Sequence, residues 1–398
     1  LPLAQAQADS LLAADAWHLQ ALALSLQAQD EAALAAIQQA RDGLLQAGSP
    51  RARSEFLGTY GMVLDNCGQH EAAQAQHRRA IALATEIGYA AQAVVVSSNL
   101  ALSLRRSGLL QHALEQLRQA ERLRGLHDQL DGPAVNTLPA MALVLTELGQ
   151  HGQALQWCDR AEAHLAQHSP AWLGVVHNHR ALCWVQLGQW ARATQALRLS
   201  AQASDKAPGW LAAVRHLHEA RLARYSLPGA EGPAQALAAL QAGGQRVSRS
   251  GRGAALWQAL ELERCALLPP EDAYPLAQEL AAQALAMGHY GVVAAATARA
   301  AASGALLWQR GQLPDAAGPL RLAERAQGLL AAYQPNDTHA DEVRLNLLQA
   351  LQAVAPVGAA NALATQCAAD LQQRAKAEVP EAYRDGFLQR HPVHRTLL

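Results

Sequence analysis

Apolar positions recur along this chain at helical rather than strand spacing, in stretches interrupted by short polar turns. Five turns carry a glycine followed five residues later by alanine: Gly68 and Ala73, Gly108 and Ala113, Gly149 and Ala154, Gly188 and Ala193, Gly311 and Ala316. The first four glycines are separated by 40, 41 and 39 residues, and Gly188 to Gly311 is 123, three further steps of 41. A helix ends readily where the next residue can take a left-handed backbone, as glycine does without a steric penalty. The alanine then falls in the first turns of the following helix. A second small residue comes seven positions on, at Ala80, Ala120, Ala161, Ser200 and Ala323. Two turns apart, the small residues share one face and let a partner helix approach closely. A fixed period in this range predicts a stack of helix–turn–helix units.

Weaker copies extend the array. Ala21–Ala40 has Ala28 at the turn, Leu227-Pro228-Gly229 and Leu268-Pro269-Pro270 mark the sixth and seventh turns, and a last pair bends near Pro356-Val357-Gly358. Composition agrees: 51% of residues are apolar but only 4% aromatic, so the core is built mainly of alanine and leucine, both strong helix formers. Val94-Val95-Val96 is the nearest approach to a strand, and it opens a helix in register with the repeats.

Leu57–Ala80, Ser97–Ala120, Leu138–Ala161, His177–Ser200 and Ala300–Ala323 together resemble the tetratricopeptide repeat in a longer, roughly forty-residue form. Gly61, Ala101, Ala142, Ala181 and Gly304 fill its small-residue slot before the turn; Arg180 departs from it, standing where a packed leucine is usual. The resemblance implies an all-α, right-handed α-solenoid of eight or nine units over residues 1–378, with a flexible seam at 226–253. A second resemblance lies in Val379–Leu388 and His391–Leu398, similar to the closing segment of bacterial STAND-type signalling ATPases and regulators that carry such an array. It implies a capping tail at 379–398 in which Tyr383, Phe387 and Leu388 close the last repeat, an effector domain upstream in the same polypeptide, and a cytoplasmic location. The start at Leu1 without methionine is read as a fragment of something longer.

Charge and chemistry narrow the function. Thirty-two basic against 33 acidic residues give a net charge of −1, which argues against nucleic acid as partner. Tyr290–Trp308 is the most apolar window, but it carries Arg299 and reads as a buried repeat helix rather than a membrane span. No cofactor is expected. The five cysteines stand singly, without a Cys-x-x-Cys pair, which points to small core residues rather than a disulfide framework or zinc site. His164 and His168 share a helical face, and His177, His179, His216 and His218 follow; no carboxylate stands at ligand spacing, so no metal site is expected. Ser250-Gly251-Arg252-Gly253 lacks the preceding strand of a dinucleotide loop, and with Arg246 and Arg249 it reads as a basic connection. No catalytic residue is assigned.

Function is therefore expected on the groove. In tetratricopeptide arrays the first helix of each pair lines the concave face. That register puts His18, Asp65, Asn66, Ser98, Asn99, Arg105, Arg106, Asn136, Asn178, His218, Arg221, Arg224 and Trp308 on or near it. Arg105, Arg106, Arg221 and Arg224 bias the face toward an acidic protein or peptide, because arginine offers forked donors to carboxylates. Asn99 and Asn178 match places where related arrays hold a ligand backbone. The alternative is a small-ligand sensor with an aromatic pocket formed by Trp157, Trp172, Trp184, Trp190 and Trp210 in units four to six.

Overall fold

The computed structural model describes residues 2–126, 131–203 and 209–398, which form nineteen α-helices and no strand. Eighteen of them make nine consecutive pairs: α1 (Pro2–Leu26) with α2 (Asp30–Ala47), α3 (Pro50–Asn66) with α4 (His70–Glu86), α5 (Ala90–Arg106) with α6 (Leu110–Gly125). There follow α7 (Asp131–Glu147) with α8 (His151–His168), α9 (Leu173–Gln186) with α10 (Trp190–Ala203), and α11 (Gly209–Ser226) with α12 (Glu231–Gly244). The last three are α13 (Ala254–Cys265) with α14 (Pro270–Ala286), α15 (Tyr290–Gln309) with α16 (Ala317–Ala332), and α17 (Ala340–Val354) with α18 (Val357–Ala377). A short α19 (Pro392–Leu397) lies in the tail. Over the described residues the chain is an all-α series of helix–turn–helix units.

Local chemistry sets the boundaries. Of the glycines in the predicted turns, Gly68 (φ +78°), Gly108, Gly149, Gly188, Gly229 and Gly311 take positive φ, Gly358 lies inside α18, and Ala28 takes +59° at the first turn, where the sequence has no glycine. Turns between units use the same device at Gly88 and Gly288, which the repeat pattern does not mark. Ser49 caps α3 by accepting the Ala52 N–H at 3.2 Å, with Pro50 in the first helical position. Ala73, Ala80, Ala113, Ala120, Ala154, Ala161, Ala193 and Ser200 are fully buried, as the small-residue stripe requires. A Cβ on Gly61 would lie 2.6 Å from the His77 ring, and one on Gly304 2.7 Å from the Tyr274 ring, so those slots admit nothing larger. Ala316 differs from expectation. Asp315 accepts the Ala317 N–H at 2.9 Å, so α16 begins one residue later and Ala316 stands just outside it. Arg180 replaces the usual leucine without loss, because it bonds Glu162 and Asp159 of α8 at 2.5 and 2.8 Å.

Two compact units divide the chain. One comprises Leu1–Arg105, Gln111–Ala140 and Ser250–Arg252; the other comprises Arg106–Leu110, Met141–Arg249 and Gly253–Leu398. In the first, Ile37, Leu44, Phe56 and Val63 interlock with Ala21, Ala33 and Ala40. Full burial of each large side chain contributes roughly 1.5–3 kcal/mol. Arg252 belongs to this unit: its guanidinium lies 2.5 Å from Asp30 and also reaches the Ser25 carbonyl, so this part of the basic connection is engaged by a carboxylate of the chain. Within the second unit α15 packs against α14, α16 and α17, with 83% of its most apolar window buried. It is a core helix. The 226–253 segment, expected as a seam, carries α12.

Candidate functional site

The inner-face register places its residues in two different settings. In the first unit, Asn99 is half-buried and Asn136 exposed, while Arg105 is buried. Neighbouring polar groups satisfy one another: His18 meets Thr59 at 2.9 Å, Asn66 donates to Ser25 at 3.0 Å, and Ser98 bonds Thr137 at 2.7 Å. Asp65 accepts from Ser103 at 2.8 Å and meets His70 at 2.5 Å. The serine here donates to the aspartate rather than to the histidine, which is not the order a Ser–His–Asp nucleophile needs.

In the second unit the inner face is covered by the chain itself. The segment 333–339, between α16 and α17, enters it: the Gln334 N–H donates to the Gly108 carbonyl at 2.8 Å and the Asp337 N–H to Glu147 at 2.9 Å. Asp337 adopts φ +54°, a conformation aspartate tolerates better than most residues. The tail follows the same face. The Gly152 N–H donates to the Glu378 carbonyl at 2.7 Å, and Tyr383 stands edge-on to Trp184 with centroids 5.0 Å apart. Phe387 is fully buried against His151 and His394. The tail thus packs on α17 and α18 but also reaches back to α8 and α9, well beyond a cap on the last repeat.

These insertions absorb the arginines. Arg221 is buried, donating to Glu263 of α13 at 2.9 Å and to the Asp337 carbonyl at 2.5 Å. Arg224 bridges Glu263 (2.7 Å) and Glu342 of α17 (2.6 Å), and Arg299 adds a second guanidinium on Glu342 at 2.7 Å. Tyr225 donates to Glu342 at 2.6 Å. Burial opposes ionisation of Glu342, yet Arg224 and Arg299 overcome it and hold the carboxyl below its usual range. The acidic partner expected for Arg221 and Arg224 is therefore supplied from within, by Glu263 and Glu342. Asn178 likewise holds a backbone, but the chain's own: it is buried and donates to the Leu211 carbonyl at 3.1 Å. His218 is buried, whereas Arg106 and Trp308 are half-buried.

The five tryptophans do not converge. Trp172 pairs with Trp210 at 6.4 Å, Trp184 meets Tyr383, Trp190 lies 6.1 Å from His391, and Trp157 stacks under Arg160 at 4.0 Å. Cysteine offers no nucleophile either. Cys183 lies 3.8 Å from His151, but burial raises the thiol well above its ordinary value. Burial, with Arg374 nearby, lowers His151 to about 3, so the pair is neutral and cannot form a thiolate–imidazolium couple. The rings of His164 and His168 lie 4.6 Å apart. Three other histidines do gather: His339, His391 and His394, all buried. Their separation in sequence hides them; only the His391/His394 spacing was visible.

No family model matches the chain, and no curated protein matches it. Among solved structures, it is similar to a monomeric mutant of IFIT1 with Gppp-AAAA, at 13% identity over 96% of this chain and 90% of that one, TM-score 0.43. It is also similar to the P58(IPK) TPR domain, at 13% identity over 95% of this chain and 98% of that one, TM-score 0.23. At these scores neither lends this chain a ligand.

Proposed function

We propose that this chain is a non-catalytic scaffold that binds the apolar face of a partner protein's helix. The observation that carries this reading is a stripe on α1: Leu12, Leu19 and Leu26 are 70%, 65% and 78% exposed and lie seven residues apart, with the exposed Ala16 and Ala23 between them. Such a spacing puts all five on one helical face, the geometry by which an amphipathic helix is received. Isolated exposed leucines are ordinary, whereas an aligned apolar row costs solvation unless something covers it. The polar groups of the second unit's inner face are largely engaged internally, which moves the favoured contact away from Arg221 and Arg224. The resemblance of the tail supports placing the chain in the cytoplasmic regulatory region of a bacterial signal-transduction ATPase or transcriptional regulator.

The test is to pan a library of amphipathic helical peptides on the folded chain and measure the selected peptides by calorimetry. Affinity should fall at least about tenfold in Leu19→Glu and in the Leu12→Glu, Leu26→Glu pair, a loss of roughly 1.4 kcal/mol or more. Asn99→Ala, Arg106→Ala and Asn136→Ala should leave it unchanged. Loss confined to those three would return the site to the open part of the inner face. A library that yields no binder would refute the scaffold reading.

A further inference from the structure

His339 precedes the first turn of α17, whereas His391 and His394 lie in the tail, and all three side chains are at least 95% buried. One ring nitrogen from each lies within 4.8 Å of the others. The rings crowd face to face, with centroid separations of 4.7 Å for His339–His391 and 4.3 Å for His391–His394. Buried imidazoles gain nothing from such crowding unless their nitrogens are satisfied, and here they are not. His339 Nδ1 and both nitrogens of His391 have no hydrogen-bond partner. Orphaned polar atoms at this depth are expensive and call for an occupant.

His394 shows what the occupant is. Its Nδ1–H donates to the Phe387 carbonyl at 2.7 Å, which leaves Nε2 with a lone pair facing Asp341 Oδ2 at 3.0 Å. An imidazolium on His394 would satisfy that one contact but would leave the three bare nitrogens of His339 and His391 untouched. A cation shared by one nitrogen of each ring would take up one of the bare nitrogens of His391 and draw the three imidazoles to a common partner. A backbone carbonyl on the far nitrogen is the usual means by which a metal-binding histidine is oriented. Asp341 is prepared in the same way: Oδ1 is held by Arg374 at 2.6 Å and Arg344 at 3.2 Å, leaving Oδ2 turned to the histidines.

We propose that His339, His391 and His394, with Asp341 beside His394, bind one Zn²⁺ or a similar first-row divalent ion, which clips the C-terminal tail to the start of α17. Three imidazoles and a carboxylate suit zinc and its neighbours rather than Ca²⁺ or Mg²⁺, which favour all-oxygen shells. Three imidazoles fill three positions of a tetrahedral shell, and the Asp341 carboxylate, 3.0 Å from His394 Nε2, stands next to the fourth. Ligand atoms about 2.0–2.1 Å from zinc sit roughly 3.3 Å apart on a tetrahedron, so the rings need only draw together from their present spacing. Access exists through a cleft of about 160 Å³ lined by His151, His339, Asp341, Arg344 and Arg374.

The experiment uses the full chain without a histidine tag, stripped by chelator and then titrated with Co²⁺ as a spectroscopic probe and with Zn²⁺ in competition. One cobalt per chain with the intense visible bands of a tetrahedral site, displaced by one equivalent of zinc, is the expected result. His391→Gln and His339→Gln should weaken binding at least ~100-fold. The His164→Gln, His168→Gln double variant should bind as the parent does. Absence of stoichiometric cobalt binding to the folded parent chain overturns the proposal, whatever the variants do. So does equal binding by a folded His391→Gln, or a signal that disappears with His164 and His168 instead.

Discussion

At the scale of single residues, the second unit depends on groups that tolerate no loss of a partner. Arg224, Arg299 and Arg221 face Glu263 and Glu342 away from water, and stripping one cation from such a network leaves buried charge uncompensated. Arg224→Ala is expected to destabilise by about 3–5 kcal/mol, whereas Arg118→Ala on the exposed side of α6 should stay within about 0.5 kcal/mol. Urea unfolding of both variants decides this; a double Arg224→Ala, Glu342→Ala variant should lose less than the sum of its parts. Gly188 is equally constrained: at φ +65° it lies against the Gly386 carbonyl, where a Cβ would collide with backbone. Gly188→Ala should therefore cost more than the roughly 1–2 kcal/mol of left-handed strain alone, read as a shift in the same unfolding curves. His151 sets a pH dependence. Burial, then Arg374, lowers its folded pKa to about 3, so the unfolded chain takes up a proton near pH 6.5 while the folded one does not. Its contribution to stability is intact above pH ~6.5 and falls with acidification from there toward 3, by at most about 1.4 kcal/mol per unit. His18 and His177, also lowered by burial, act in the same direction. Unfolding midpoints at pH about 7.5 and 5.5 should differ, and less so in His151→Gln; a flat profile would contradict this.

At the scale of elements, the tail and the 333–339 segment behave as parts of the core rather than as trimmings. Tyr383 covers Trp184, Phe387 fills a fully buried position against His151, and Asp337 supplies a carbonyl to Arg221. Deleting residues 379–398 should expose these faces. Hydrogen exchange should then quicken in α8, α9, α11 and α17, while α2, α3 and α4 of the first unit keep their protection. Uniform protection in the truncated chain would show the tail to be dispensable. The inner-face expectation went astray at this scale. Helical register assigns Asn178, His218, Arg221 and Arg224 to one side of the first helices, but register says nothing about which later segment will lie over that side.

Over the whole molecule, circular dichroism should report helix with no appreciable sheet. The helix–turn–helix periodicity was legible because it follows from local causes: left-handed turns, small residues two helical turns apart, and alanine-rich stretches with high helix propensity. Gly68, Gly108, Gly149, Gly188 and Gly311 mark their turns in the sequence, and even Ala28 takes the backbone its position predicts. The histidine cluster was not legible. His339 belongs to the start of α17 and His391 and His394 to the tail, so their meeting depends on long-range packing that no spacing rule encodes.

The sequence by itself determined the helical units, their boundaries and the small-residue stripes, because each rests on interactions among residues a few turns apart. Only the tertiary structure decided which arginines find carboxylates, which histidines meet, and that later segments of the second unit lie over its inner face. Those outcomes depend on chain segments far apart in sequence returning to the same place, and on the burial that follows when they do.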